Sequence, residues 1–77
     1  MTREDVELVV HKEITQILPK AEIRGDVHLK DLGADSVDRV EILLAILQEL
    51  RVSLPLSRFS DIPDIDRLVD FLAERAR

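Results

Sequence analysis

The sequence predicts an all-α protein, a small four-helix bundle of three main helices and one short helix. Apolar residues recur at helical spacing in three segments of the chain. The chain has 77 residues, of which 45% are hydrophobic and none is cysteine. One small core without disulfides must therefore hold the fold together. We expect a single domain over residues 1–77, acting as a monomer.

The first main helix is predicted over residues 3–18. Thr2 is a suitable N-cap with Asp5 three residues later, and Pro19 stops the helix because the residue before a proline is disfavoured in the α region. Apolar residues recur along this segment at helical spacing: Val6, Val9, Val10, Ile14, Ile17 and Leu18.

Residues 19–34 keep no period, and we predict a long loop for them. Val27 and Leu29 alternate as in a strand, but no second strand exists to pair with them. A loop of this length is usually functional or disordered. Its scattered aliphatic residues favour a loop that is attached to the core.

The second main helix is predicted over residues 36–50. Its core stripe is expected to run through Val37, Val40, Leu44 and Leu47, widened by Leu43 and Leu50. Ile42 and Ile46 lie outside that stripe. For them we favour extra burial over an exposed docking patch, and both alternatives stay open.

A short helical turn near residues 56–60, anchored by Phe59 and Ile62, is expected before the last helix. Asp64 is predicted to cap that helix, and Arg75 and Arg77 suit the negative end of its dipole. Its inward face is predicted to comprise Ile65, Leu68, Val69, Leu72 and Ala76.

Composition argues against several classes of partner. The formal charge is −5 and the only aromatic residues are two phenylalanines, so neither a basic patch nor a stacking platform for nucleic acid is expected. The start of the chain is polar, and the apolar run 42–47 is too short to span a membrane. We expect a cytoplasmic protein that does not bind a membrane. Its acidic surface favours partners with basic docking faces.

The sequence gives little evidence for a metal site or a catalytic site. Asp61, Asp64 and Asp66 lack the spacing, the glycine and the final glutamate of a calcium loop, so we expect helix capping and no metal. His11 and His28 have no spacing relation to Ser36, and a chain of this size is expected to form no water-excluding cleft for a catalytic triad.

Ser36 lies at the start of the second helix and has two interpretations. It could itself be the N-cap and have no other role, which is common for serine. Alternatively Asp35 is the N-cap, Asp38 is the third helical residue, and the Ser36 hydroxyl is free at the exposed rim. Gly33 then supplies a tight turn just before it, and the positive end of the helix dipole tolerates a phosphate on Ser36.

A resemblance to a known family favours the second interpretation. The run Asp31-Leu32-Gly33-Ala34-Asp35-Ser36, followed by Val37-Asp38-Arg39-Val40-Glu41, resembles the modification site of acyl carrier proteins. Leu54-Pro55 and Ile62-Pro63-Asp64-Ile65 are similar to the segments that follow the second helix and precede the last helix in these carriers. The resemblance covers residues 4–72.

The resemblance implies a carrier that is not itself an enzyme. A phosphopantetheinyl transferase, using magnesium and coenzyme A, would attach 4′-phosphopantetheine to Ser36, and the arm would hold acyl groups as thioesters. Asp35 and Gly33 belong to the same motif. In such carriers partner enzymes dock on the second helix. The implied docking residues are Val37, Asp38, Arg39, Glu41 and Ile42.

The string from Asp35 to Ile42 is similar to free-standing carriers of polyketide β-branching cassettes, which donate an acetyl unit made from malonyl. The implied partners are an acyltransferase, a ketosynthase or decarboxylase, and a hydroxymethylglutaryl-type synthase. Two alternatives stay open: a fatty-acid or aminoacyl carrier, and, from a different class, a small helical interaction module without a prosthetic group.

Overall fold

The computed structural model describes residues 2–76. In chain order they form α1 (Arg3–Ile17), a 3-10 helix η1 (Leu29–Leu32), α2 (Ser36–Leu50), a 3-10 helix η2 (Leu56–Phe59) and α3 (Ile65–Arg75). No strand occurs within this described range. The predicted all-α bundle with its long first connection is confirmed. The predicted short helix is present as η2, whereas η1 was not anticipated.

Helix α1 begins at the predicted cap. The Thr2 hydroxyl accepts a hydrogen bond from the Asp5 N–H at 3.2 Å, and the Asp5 carboxylate accepts one from the Thr2 N–H at 3.1 Å. The bond from the Thr2 backbone lowers the pKa of Asp5 below its usual value because it stabilises the carboxylate. The helix ends at Ile17, one residue earlier than predicted and shortly before Pro19.

The core lies between α1 and the other two helices. The backbone of α1 approaches both α2 and α3, whereas α2 and α3 approach each other far less. The buried apolar cluster takes side chains from every element: Val6, Val10, Ile14, Leu29, Ile42, Ile46, Leu47, Leu50, Phe59, Ile65, Leu68, Val69 and Leu72. The predicted inward face of α3 is confirmed, with Ala76 half-buried at its end.

The predicted core stripe of α2 is wrong in its first three members. Val37, Val40 and Leu44 are 62%, 40% and 51% exposed, whereas Ile42 and Ile46 are fully buried. The favoured burial of the two isoleucines is thus confirmed. At about 100° per residue, apolar side chains cover more than half of this helix. Periodicity alone therefore did not decide which part of that wide face meets α1.

The long loop is attached to the start of α3. The Gly25 and Val27 carbonyls accept hydrogen bonds from the Asp66 and Ile65 N–H groups at 2.9 and 3.0 Å. The Asp64 carboxylate accepts from the Arg67 N–H at 2.8 Å, as its predicted capping role requires. The first three N–H groups of α3, which an isolated helix leaves unpaired, therefore all have acceptors. The loop is part of the folded core, as its aliphatic residues predicted.

Ion pairs join α1 to both neighbouring helices. The Arg3 guanidinium contacts Asp70 at 2.6 Å and Asp66 at 3.9 Å on α3. On the other side, Lys12 is hydrogen-bonded to Glu49 of α2. This bond lowers the pKa of Glu49 and raises that of Lys12. Glu49 thus has a partner within the fold.

Arg75 stabilises the C-terminal end of α3. Its guanidinium donates to the Phe71 carbonyl at 3.2 Å and lies 3.8 Å from the centre of the Phe71 ring. Phe71 in turn meets Phe59 edge to face at 5.4 Å, which connects η2 to α3. Arg77, predicted for the same end, lies outside the described residues. Within residues 2–76, no helix has the length and apolar character needed to span a membrane.

Candidate functional site

Two aspartates cap the first turn of α2. The Asp38 N–H donates to Asp35 Oδ1 at 2.8 Å, and the Asp35 N–H donates to Asp38 Oδ2 at 3.4 Å. Asp35 is therefore the N-cap and Asp38 is the third helical residue, as predicted. This reciprocal arrangement satisfies two N–H groups at the helix start with side chains of the helix itself.

Ser36 is the first residue of α2 and is exposed to solvent. The interpretation that Ser36 is itself the N-cap is wrong, because Asp35 and Asp38 make the capping bonds. Its hydroxyl is thus an exposed group at the positive end of a helix dipole, without a capping role. An anion attached there is stabilised by the N–H groups of the first turn.

Gly33 follows η1 and adopts a left-handed backbone conformation, which glycine accommodates most easily. Its φ is 94°, and its N–H donates to the Lys30 carbonyl at 3.3 Å. A Cβ added there would meet nothing within 4 Å, so backbone conformation and not space favours glycine. The turn buries Ala34 and brings the chain to Asp35 at the start of α2.

A cavity of about 250 Å³ opens beside Ser36, between α2, η2 and α3. Six apolar side chains form much of its wall: Val40, Leu43, Leu56, Phe59, Ile65 and Leu68. The cavity is open to solvent, so it does not contradict the expectation that this chain forms no water-excluding cleft for a catalytic triad. The cavity arises because α2 and α3 both pack on α1 and stay apart from each other.

The polar part of the cavity wall includes Ser36, Arg39, His28 and Asp64. His28 was assigned no relation to Ser36 from the sequence, and the fold brings both to one cavity. Its Nδ1 accepts the Lys30 N–H at 3.1 Å, so in the neutral ring Nε2 carries the proton. A ring in this state donates a hydrogen bond and does not accept the serine proton, which is unlike a catalytic triad.

The predicted docking residues of α2 are not all at the surface. Val37 and Glu41 are exposed, and Asp38 and Arg39 are half-buried. Ile42 is fully buried and points into the core, so its assignment to a docking surface is wrong. The structure adds Val40 and Leu44, which continue the exposed apolar stripe of Val37 one and two turns further along α2. We call these three residues the α2 apolar stripe.

Acidic side chains surround the site without forming a metal centre. Within the described residues, no group of three or more histidine, aspartate or glutamate side chains is arranged to hold a metal ion. Asp64, one of the three residues considered for a calcium loop, caps α3 instead.

Comparison with known proteins gives a consistent result. A family model described as a phosphopantetheine attachment site matches residues 9–72. The chain is 29% identical over 80 residues to the polyketide biosynthesis acyl-carrier-protein AcpK of Bacillus subtilis, covering 100% of this chain and 98% of that protein. It is 28% identical over 75 residues to an acyl carrier protein of Helicobacter pylori, covering 92% of this chain and 90% of that protein.

A mitochondrial acyl carrier protein 2 of Arabidopsis thaliana is 36% identical over 59 residues, which cover 77% of this chain and 43% of that protein. No solved structure matches the chain at a significant level. The family model includes the cavity, the turn at Gly33 and the whole of α2. The sequence resemblance, the helical bundle and the family match agree, and the chain belongs to the acyl carrier proteins, the family that bears a phosphopantetheine attachment site.

Proposed function

We propose that this chain is a discrete carrier of a polyketide pathway and that Ser36 is the residue to which 4′-phosphopantetheine is attached. One observation carries the assignment of Ser36. Its hydroxyl is exposed at the first position of α2, while the neighbouring aspartates supply the capping that a serine there commonly supplies.

The residues around Ser36 fit the prosthetic group. The exposed hydroxyl can form the phosphodiester, the N-terminus of α2 favours the negative charge of that group, and the mainly apolar cavity lies next to it. When bound, 4′-phosphopantetheine supplies the thiol that holds an acyl group as a thioester, which this cysteine-free chain lacks. The family implies two kinds of partner: a phosphopantetheinyl transferase and the biosynthetic enzymes that act on the acyl group.

The polyketide assignment is supported by the likeness to a polyketide carrier over the whole chain. The sequence identity to an acyl carrier protein whose name mentions no polyketide is 28%, nearly the same as the 29% to the polyketide carrier. A fatty-acid carrier is therefore the competing function. Within the polyketide class we propose the acetyl donor for β-branching. The support is the sequence from Asp35 to Ile42. The partners would be an acyltransferase, a ketosynthase or decarboxylase, and a hydroxymethylglutaryl-type synthase.

We assign partner docking to the α2 apolar stripe together with Asp38 and Glu41. Three of the four large apolar side chains that are exposed within the described residues belong to this stripe, which begins next to Ser36. Flanking carboxylates fit a partner surface with arginine or lysine side chains around an apolar centre.

The attachment site is tested by intact-mass measurement after incubation with coenzyme A, magnesium and a broad-specificity transferase. We expect one phosphopantetheine added to the wild type and none to Ser36→Ala. Ser57→Ala, at an exposed serine of η2, is the matched control and should be modified like the wild type. Modification that persists in Ser36→Ala would overturn the assignment.

The pathway is tested with the modified protein loaded with acetyl. A β-branching synthase should use this carrier in preference to a fatty-acid carrier loaded in the same way. Equal use of the two carriers would remove the reason for the β-branching assignment.

A further inference from the structure

Arg39 has a polar atom that the fold leaves without a partner. Its Nε is buried and makes no hydrogen bond within residues 2–76, although a guanidinium can donate from all of its nitrogens. Arg3, Arg24 and Arg75 each lie within 4 Å of a carboxylate, at 2.6, 3.1 and 3.6 Å respectively. Arg39 forms no such pair in the described part of the chain. A buried N–H without an acceptor is unusual in a folded protein.

The position of Arg39 relates it to Ser36. The two residues are three apart on α2, so their side chains are neighbours on the helix surface. Both also line the cavity between α2, η2 and α3. The residue with the unpartnered Nε–H thus lies one helical turn from Ser36, the residue that we assign as the attachment point, and lines the same cavity.

The nearby carboxylates do not use this cation. Asp35 and Asp38 are bound to each other's backbone N–H groups, and Asp64 in the cavity wall is bound to the Arg67 N–H. A phosphodiester on Ser36 would therefore lie between two aspartates that carry the same sign of charge. Arg39 is the cationic side chain in the cavity wall that can offset this repulsion.

We propose that Arg39 is a positioning residue for the prosthetic arm, which it binds at the phosphodiester. The Nε–H and one terminal N–H of the guanidinium donate to the two non-bridging oxygens of the phosphate, a two-pronged contact that arginine makes and lysine does not. The contact satisfies the buried Nε–H and fixes the first atoms of the arm at the cavity mouth. This inference rests on the proposed attachment at Ser36.

The test uses the whole protein before and after modification, with the mass of each sample measured first. In the wild type we expect the Arg39 Nε–H resonance to shift on modification and its exchange with water to slow severalfold. In modified Arg39→Gln, the ³¹P resonance of the phosphodiester should move from its wild-type position. Arg39→Lys should restore only part of the shift, because it keeps the charge and loses the two-pronged geometry.

Arg51→Gln is the matched control. It removes the same charge from the other end of α2, outside the cavity, and should leave the ³¹P resonance at its wild-type position. An Arg39 Nε–H resonance that is unchanged by modification would overturn the proposal. A resonance that moves only when an acidic acyl group is loaded would overturn it too, because Arg39 would then bind the cargo. Absence of added mass on the wild type contradicts the proposed function instead, so the two failures are distinguishable.

Discussion

Asp35 and Asp38 exchange hydrogen bonds with each other's backbone N–H groups across the first turn of α2, and Ser36 lies between them without joining the exchange. The start of α2 is therefore stabilised by residues other than Ser36, to which we assign the attachment of the prosthetic group. A serine that was also the cap would lose that bond, or force the backbone to adjust, whenever its hydroxyl was modified.

The first prediction concerns this division of roles. Asp35→Ala should lower the free energy of unfolding by about 1 kcal/mol, because it removes the acceptor of the Asp38 N–H, whereas Asp35→Asn should lose much less. Urea denaturation of the unmodified protein measures the difference. Asp31→Ala, at an exposed residue of η1, is the control and should be close to wild type. Equal losses in Asp35→Ala and Asp31→Ala would contradict the assigned cap.

The second prediction separates the two apolar faces of α2. Ile42→Ala should cost about 2–5 kcal/mol because it leaves a cavity in the core, whereas Leu44→Ala should change stability by about 0.5 kcal/mol. Leu44→Ala should instead reduce acyl transfer by a partner enzyme. Denaturation and transfer assays on the two variants give the comparison. A large loss of stability in Leu44→Ala would mean that the stripe belongs to the core.

The third prediction concerns the contact between the loop and α3. A Cβ at residue 25 would lie 2.2 Å from the Asp66 Oδ1, next to the hydrogen bond that the Gly25 carbonyl accepts from the Asp66 N–H. The clashing atoms are the far end of the flexible Asp66 side chain, which is 47% exposed and can rotate away, so Gly25→Ala should cost only about 0.5 kcal/mol. Adding Asp66→Ala removes the clashing carboxylate and should recover part of the loss. Strictly additive effects of the two substitutions would contradict this account.

The fourth prediction follows from the pair Lys12 and Glu49. The hydrogen bond from Lys12 lowers the pKa of Glu49 from its usual 4.5, and the same bond raises the pKa of Lys12 from 10.5. The stabilisation is therefore present between these two values, is lost as the pH falls through the lowered pKa of Glu49, and is lost as the pH rises through the raised pKa of Lys12.

The wild type should be more stable than Glu49→Gln at pH 7, and the difference should fade at both extremes and in high salt. Urea midpoints of both proteins across the pH range measure it. Glu41→Gln, at an exposed glutamate on the same helix, is the control for a general loss of charge. A difference that stays constant into acid would rule out the pair as its cause.

The helix boundaries could be predicted because local chemistry determines them. Thr2, Asp35 and Asp64 each place a side-chain oxygen within reach of the third N–H of a helix, and Pro19 follows the end of α1. Such signals depend on residues only a few positions apart. They also placed Ser36 correctly at the start of α2, while the attachment of the prosthetic group to Ser36 stays a prediction.

The choice of buried face on α2 could not be predicted in the same way. Ile42 and Leu44 are equally apolar, and only the packing of α1 against one side of the helix separates them. The half-buried position of Arg39 has the same origin, since its surroundings include residues from η2 and α3 that are distant in sequence. The shared cavity of His28 and Ser36 likewise depends on where the long loop meets α3.

The two apolar faces of α2 have a consequence for how such a carrier can diverge. Substitutions in the exposed stripe alter the surface that solvent and other proteins meet, while Ile42 and Ile46 keep the bundle folded. Duplicated genes for such a chain can therefore accumulate changes at Val37, Val40 and Leu44 without first acquiring compensating stabilising mutations. Carriers with separate pathways can arise in this way from one unchanged core.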